Sequence, residues 1–100
     1  MITKDIEIVK NIFSLLDEGI VNGYDSFRYE VEVYEGYMES ELEVELNGEQ
    51  TTSADTNYNS AALYDLVKQL KSSALSRGEN WSSFQISYQI DGEVKTSFKY

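Results

Sequence analysis

Between Tyr29 and Leu46 apolar residues alternate with glutamates, as Tyr29-Glu30-Val31-Glu32-Val33 and then Glu39-Ser40-Glu41-Leu42-Glu43-Val44-Glu45. Successive side chains of a strand point to opposite faces, so this period of two predicts one buried parity and one solvated parity. Glu35-Gly36 interrupts the alternation where a hairpin would turn. A two-residue loop there sets Glu32 opposite Glu39, Glu30 opposite Glu41 and Arg28 opposite Glu43. The same register gathers Phe27, Tyr29, Val31, Val33, Met38, Leu42 and Val44 on the other face.

Elsewhere the period changes. Ile2, Ile6, Val9, Ile12/Phe13, Leu16 and Ile20 recur every three or four residues, the stripe of an amphipathic helix. Thr3 is placed to cap it, Asp5 and Glu7 suit its first turn, and Gly19 suits a left-handed C-terminal cap. A second helix is expected from Asn59 or Ser60 to Arg77, with the stripe Leu63, Leu66/Val67, Leu70 and Ala74/Leu75, ended by Gly78.

Each helix is followed by a hairpin. The second pairs Ser83–Gln89 with the segment from Glu93 to Tyr100. A three-residue loop, Ile90-Asp91-Gly92 with Gly92 left-handed, keeps the apolar parity together by facing Tyr88 to Val94, Ile86 to Thr96 and Phe84 to Phe98. Asn47-Gly48 is a hairpin signal that adds a short third strand within Glu49–Ser53 to the first hairpin. The expected architecture is one α+β domain over residues 1–100, in the order α-β-β-(β)-α-β-β. It has an antiparallel sheet of four or five strands, both helices on its apolar face and the glutamate face left open. Ser26-Phe27-x-Tyr29-x-Val31-x-Val33 and Ser83-Phe84-x-Ile86-x-Tyr88-x-Ile90 echo each other, by duplication or by the convergent pattern of two amphipathic strands.

Composition sharpens the picture. The 100 residues carry a formal charge of −10 with 41% hydrophobic content, so the acidity accompanies a foldable core and does not signal disorder. Such a charge argues against nucleic acid or an anionic membrane as partner and for a basic one. There is no Cys and no membrane-length apolar run, and Met1-Ile2-Thr3-Lys4-Asp5 lacks the apolar core of a signal peptide. The chain is accordingly read as a mature cytoplasmic protein.

Catalytic signatures are not found in the sequence. With no His there is no histidine base or triad, and no glycine-rich phosphate loop occurs. Glutamates alternating along a solvated strand share one environment, which does not separate their pKa values as acid–base pairs require. Their spacing is not that of a calcium loop. The expectation is a non-enzyme with no cofactor and no metal site.

A surplus remains to be explained. Glu30, Glu32, Glu39, Glu41, Glu43 and Glu45 share one parity, and Arg28 is the one base between Asp25 and Glu45. Directly opposed like charges destabilise a sheet, at about 0.8 kcal/mol per pair near 5 Å in water before screening. Replacing Glu41 by Lys should therefore stabilise the isolated domain slightly. A solvated face needs less charge than this to stay soluble, so the face is read as a binding surface. Tyr34 and Tyr37 flank the turn on the same parity, either as interface anchors or as a cross-strand aromatic pair. Trp81 is expected to plug the end of the core beneath the second helix.

The segment Trp81-Ser82-Ser83-Phe84-Gln85-Ile86-Ser87-Tyr88, Asp91-Gly92-Glu93-Val94-Lys95 and Phe98-Lys99-Tyr100 resembles the YezG-like immunity proteins, of the contact-dependent-inhibition type. In that family a tryptophan after a helix precedes a strand, a D-G-K-like turn and an F-x-Y ending. Glu93 stands here where a lysine-like residue often follows the glycine. The resemblance implies a small acidic cytoplasmic protein that neutralises a toxin delivered between competing bacteria, often a nuclease. No site residue is carried over, because the matching positions are core aromatics and a turn.

The residues lead the same way. A nuclease must be basic to hold its polyanionic substrate, and a rigid acidic face exploits that basic cleft. The expected contacts are Glu30, Glu32, Tyr34, Tyr37, Glu39, Glu41, Glu43 and Glu45. The protein is read as a monomer alone and a heterodimer with its toxin. The alternative is an acidic module, or nucleic-acid mimic, that inhibits some other basic protein.

Overall fold

The computed structural model describes residues 3–100, so Met1 and Ile2, the first member of the expected helical stripe, lie outside the described residues. The fold is α+β: α1 (Thr3–Gly19), β1 (Ser26–Tyr34), β2 (Tyr37–Leu46), β3 (Glu49–Thr51), α2 (Ser60–Ser76), β4 (Ser83–Gln89) and β5 (Lys95–Lys99). The chain divides into two compact units: a helical one through Val21 and over Thr56–Asn80, and a sheet unit over Asn22–Asp55 and Trp81–Tyr100.

In the helical unit α1 and α2 run antiparallel. The start of α1 is tied to the end of α2 by Asp5, whose Oδ1 accepts from Ser73 Oγ at 2.6 Å and whose Oδ2 accepts from Arg77 Nη2 at 2.8 Å. At the opposite end the Gly19 carbonyl accepts from Asn57 N–H at 2.8 Å, and Ile20 bridges to Thr56. The buried stripe of α1 is Asp5, Ile8, Val9, Ile12 and Leu16, while Ile6 is 41% exposed. The sequence expectation had placed Ile6 inside. The helix is turned so that Asp5 takes the inward position, which its hydrogen bonds from buried Ser73 and from the more exposed Arg77 make tolerable.

Two expected caps also differ. Thr3 already lies within α1 and does not cap it. Gly19 has no left-handed backbone; a Cβ there would lie 2.6 Å from Tyr58 Cβ, so close approach is what requires glycine. The α2 cap is as expected, with Asn59 Oδ1 accepting from Ala62 N–H at 3.1 Å. Leu63, Val67, Leu70 and Ala74 are buried in α2, while Leu75 is exposed.

The sheet has five strands in the order β3-β2-β1-β4-β5, every pair antiparallel. The β1–β2 register is the expected one, pairing Arg28 with Glu43, Glu30 with Glu41 and Glu32 with Glu39. Gly36, at φ 82°, makes the tight turn. Asn47 and Gly48 both adopt positive φ (55° and 81°), as a primed two-residue hairpin requires, and lead into β3. Asp25 staples the opposite end: its N–H donates to the Glu45 carbonyl, its carbonyl accepts from Ile90 N–H, and its carboxylate accepts from Asn47 N–H at 2.8 Å.

In the second hairpin Phe84 faces Phe98 and Ile86 faces Thr96 as expected, but the ladder stops at Ser87–Lys95, so Tyr88 and Val94 are not paired. The left-handed residue is Asp91 (φ 66°) and not Gly92. Gly92 N–H donates to the Gln89 carbonyl at 2.8 Å, closing a four-residue turn in which the Asp side chain tolerates that conformation. On one parity of the sheet Phe27, Tyr29, Val31, Val44, Phe84 and Ile86 are buried. Trp81, buried, packs its ring at 5.5 Å from Phe98 and 6.2 Å from Phe84. No helix among the described residues is long and apolar enough to cross a membrane.

Candidate functional site

The solvated parity of the sheet can be read as rows running across the strands. Residues directly opposite in an antiparallel pair share a face. One row runs Glu39–Glu32–Ser83–Lys99, the next Glu41–Glu30–Gln85–Ser97, the third Glu43–Arg28–Ser87–Lys95 and the last Gln50–Glu45–Ser26–Gln89. All six expected glutamates therefore stand on this one face, on β1 and β2. Their exposure is uneven: Glu32, Glu39 and Glu41 are exposed, whereas Glu30, Glu43 and Glu45 are half-buried.

Arg28 causes part of that difference. Its guanidinium lies 3.2 Å from Glu41, 3.6 Å from Glu43 and 3.7 Å from Glu30, so one cation draws three carboxylates together. The middle of the face is partly neutralised. Free acidity is concentrated toward the turn, where Glu32 and Glu39 are directly opposed and, among the described residues, have no basic partner. An open hollow of about 190 Å³ lies among Glu30, Glu32, Glu39, Ser40 and Glu41.

Tyr34 and Tyr37 close the turn as a directly opposed pair, their rings stacked with centroids 4.9 Å apart and planes 19° apart. Both remain well exposed, at 41% and 53%. The stack is the cross-strand aromatic pair of the sequence reading, and it leaves both rings open to solvent at the tip of the hairpin. The Tyr34 hydroxyl donates to Glu32 Oε2. That bond, aided by desolvation and by the charges of Glu32 and Glu39, pushes the Tyr34 phenol up to about 12, because ionising it would break the bond and add a third negative charge.

A second hollow, about 300 Å³, lies farther from the turn among Ser26, Arg28, Glu43, Glu45, Ser87 and Lys95. Ser26 and Ser87 are short side chains amid long ones, which leaves the depression. Lys95 and Lys99, which are not among the expected contacts, also stand on this face. Counting parity across Phe84–Phe98 and onward along β5 is the signal that would have found them. Among the described residues no group of three or more carboxylates is arranged to hold a metal ion.

No protein-family model matches the chain. No curated protein matches it either. What this face can do is set by its own chemistry: a rigid, hydrogen-bonded sheet presents fixed negative charge, an aromatic tip and two shallow hollows to solvent.

Proposed function

We propose that the protein is a cytoplasmic immunity protein, a stoichiometric inhibitor that binds a co-produced basic toxin, with a nuclease domain as the expected partner. The observation that carries this reading is the direct opposition of Glu32 to Glu39, which have no basic partner among the described residues, on a solvated sheet face whose single arginine on the same two strands is taken up by Glu30, Glu41 and Glu43. Opposed like charges cost the free protein stability, and a cationic partner recovers that cost on binding. Because the carboxylates are held by a sheet, little ordering is needed on association, and their summed field accelerates encounter with a basic surface. Tyr34 and Tyr37 supply the apolar and stacking area that pure charge lacks, and their faces suit an arginine or lysine of the partner. The resemblance of the C-terminal hairpin to the YezG-like immunity proteins supports the same reading.

The test is growth protection. Cells expressing the co-produced toxin domain should survive with the wild-type protein and lose protection with Glu32→Lys/Glu39→Lys, while unrelated basic nucleases stay active in its presence. Inhibition of many basic nucleases alike would favour a general nucleic-acid mimic, and full protection by the double variant would exclude this face.

A further inference from the structure

The polar face is not uniformly acidic. Its glutamates lie on β1 and β2, its β4 residues Ser83, Gln85, Ser87 and Gln89 are neutral, and its outermost strand presents Lys95 and Lys99. Both lysines are exposed, and among the described residues neither has a carboxylate in ion-pair contact. From β2 to β5 is three strand spacings, about 14 Å. The charge thus changes sign across the face, with the larger hollow, floored by Ser26 and Ser87, between the two poles.

Resting on the reading above, we propose that the partner surface is bipolar: a basic patch meets the β1–β2 glutamates, and an acidic group about 14 Å away meets Lys95 and Lys99. Two poles fix the rotation of a docked protein about the face normal, which a single acidic patch leaves free, and so they convert attraction into orientation. A nucleic acid fits poorly, because phosphates drawn to the lysines would face the glutamates. A second copy of this chain also fits poorly. Each copy carries −10, so two copies repel one another, whereas a basic partner is attracted.

The ordinary role of edge lysines is to discourage strand addition. The two roles differ in sign. If the lysines only guard the edge, reversing them makes the face more acidic and strengthens attraction to any basic partner. If they hold an acidic group, reversal weakens binding of a correctly patterned one.

The probes are three synthetic peptides: an arginine block joined by a five-residue Gly-Ser spacer to an aspartate block, the same residues with charges intermixed, and the arginine block alone. Binding is read by fluorescence anisotropy at about 20 mM salt, where surface charges are weakly screened. Wild type should prefer the blocked peptide over the intermixed one by about threefold or more, the scale of exposed ion pairs. Lys95→Glu/Lys99→Glu should lose that preference yet bind the arginine block more tightly than wild type does. Equal binding of the two mixed peptides by wild type, or tighter binding of the blocked peptide by the lysine variant, overturns the proposal. So does a wild-type dimer in sedimentation that the lysine variant abolishes, which would make the second copy the occupant. Glu32→Lys/Glu39→Lys separates the two levels: undiminished affinity for the arginine block in that variant would sink the acidic docking face itself, whatever the lysines do.

Discussion

Arg28 Nη2 sits 3.2 Å from Glu41 Oε1, although Glu41 is the direct neighbour of Glu30 and not of Arg28. The diagonal contact matters because a strand pair allows long side chains to reach one position beyond their partner. It divides the glutamates of this face into a compensated centre and an uncompensated end at the turn.

Two charge reversals should consequently differ. Glu39→Lys places a cation opposite Glu32 and should stabilise the free domain by a few tenths of a kcal/mol, the scale of a cross-strand pair. Glu41→Lys, which the sequence alone would rank as equally helpful, removes a partner of Arg28 and sets two cations side by side. It should be neutral or destabilising. Urea midpoints of the two variants at low salt decide this, and equal stabilisation by both would mean that the Arg28 contact has no energetic weight.

Tyr34 offers a spectroscopic check on the tip. Its raised pKa means that the hydroxyl keeps donating to Glu32 at neutral and moderately alkaline pH and loses the bond only as pH rises through about 12. The tyrosinate absorbance difference between wild type and Tyr34→Phe should titrate near that value, and Glu32→Gln should bring it back toward 10.0, the ordinary phenol value. Titration of Tyr34 near 10.0 in wild type would show that the bond is absent in solution.

Asp5 contributes to the acid limb. Burial alone would raise its carboxyl, but hydrogen bonds from Ser73 and Arg77 and the Arg77 charge outweigh burial and hold it below 3.8. A depressed folded-state pKa contributes stability that is present above the unfolded value and is lost as pH falls through the folded one. Asp5→Asn should therefore cost about 2 kcal/mol at neutral pH, as loss of charge-assisted hydrogen bonds does. Its stability should also fall less steeply than that of wild type below about pH 4. Parallel acid limbs for the two proteins would contradict the assignment.

The strand pairing was legible because parity and turn chemistry agree: Glu35-Gly36 and Asn47-Gly48 leave one register that keeps Tyr29, Val31 and Val44 inside. The face carrying Glu30, Glu32, Tyr34, Tyr37, Glu39, Glu41, Glu43 and Glu45 follows from that register directly. What escaped were relations between residues distant in sequence. Asp5 reads as a favourable first-turn acid until Ser73 and Arg77 arrive 68 and 72 residues later. Gly19 reads as a flexible cap until Tyr58 arrives beside it. Asp91 took the left-handed position that glycine propensity assigns to Gly92, because the hydrogen bond from Gly92 N–H to Gln89 sets the turn one residue earlier. The diagonal reach of Arg28 depends on side-chain length, which local periodicity does not encode, whereas the parity of Lys95 and Lys99 follows from the Phe84–Phe98 pair.

The most direct test of the acidic docking face is the association rate with the co-produced toxin domain, measured by stopped flow for wild type and Glu32→Lys/Glu39→Lys at low and high salt. The double variant should remain folded yet associate about tenfold or more slowly at low salt, with most of the difference gone at high salt, as long-range steering requires. A folded double variant that associates as fast as wild type at low salt would contradict the account.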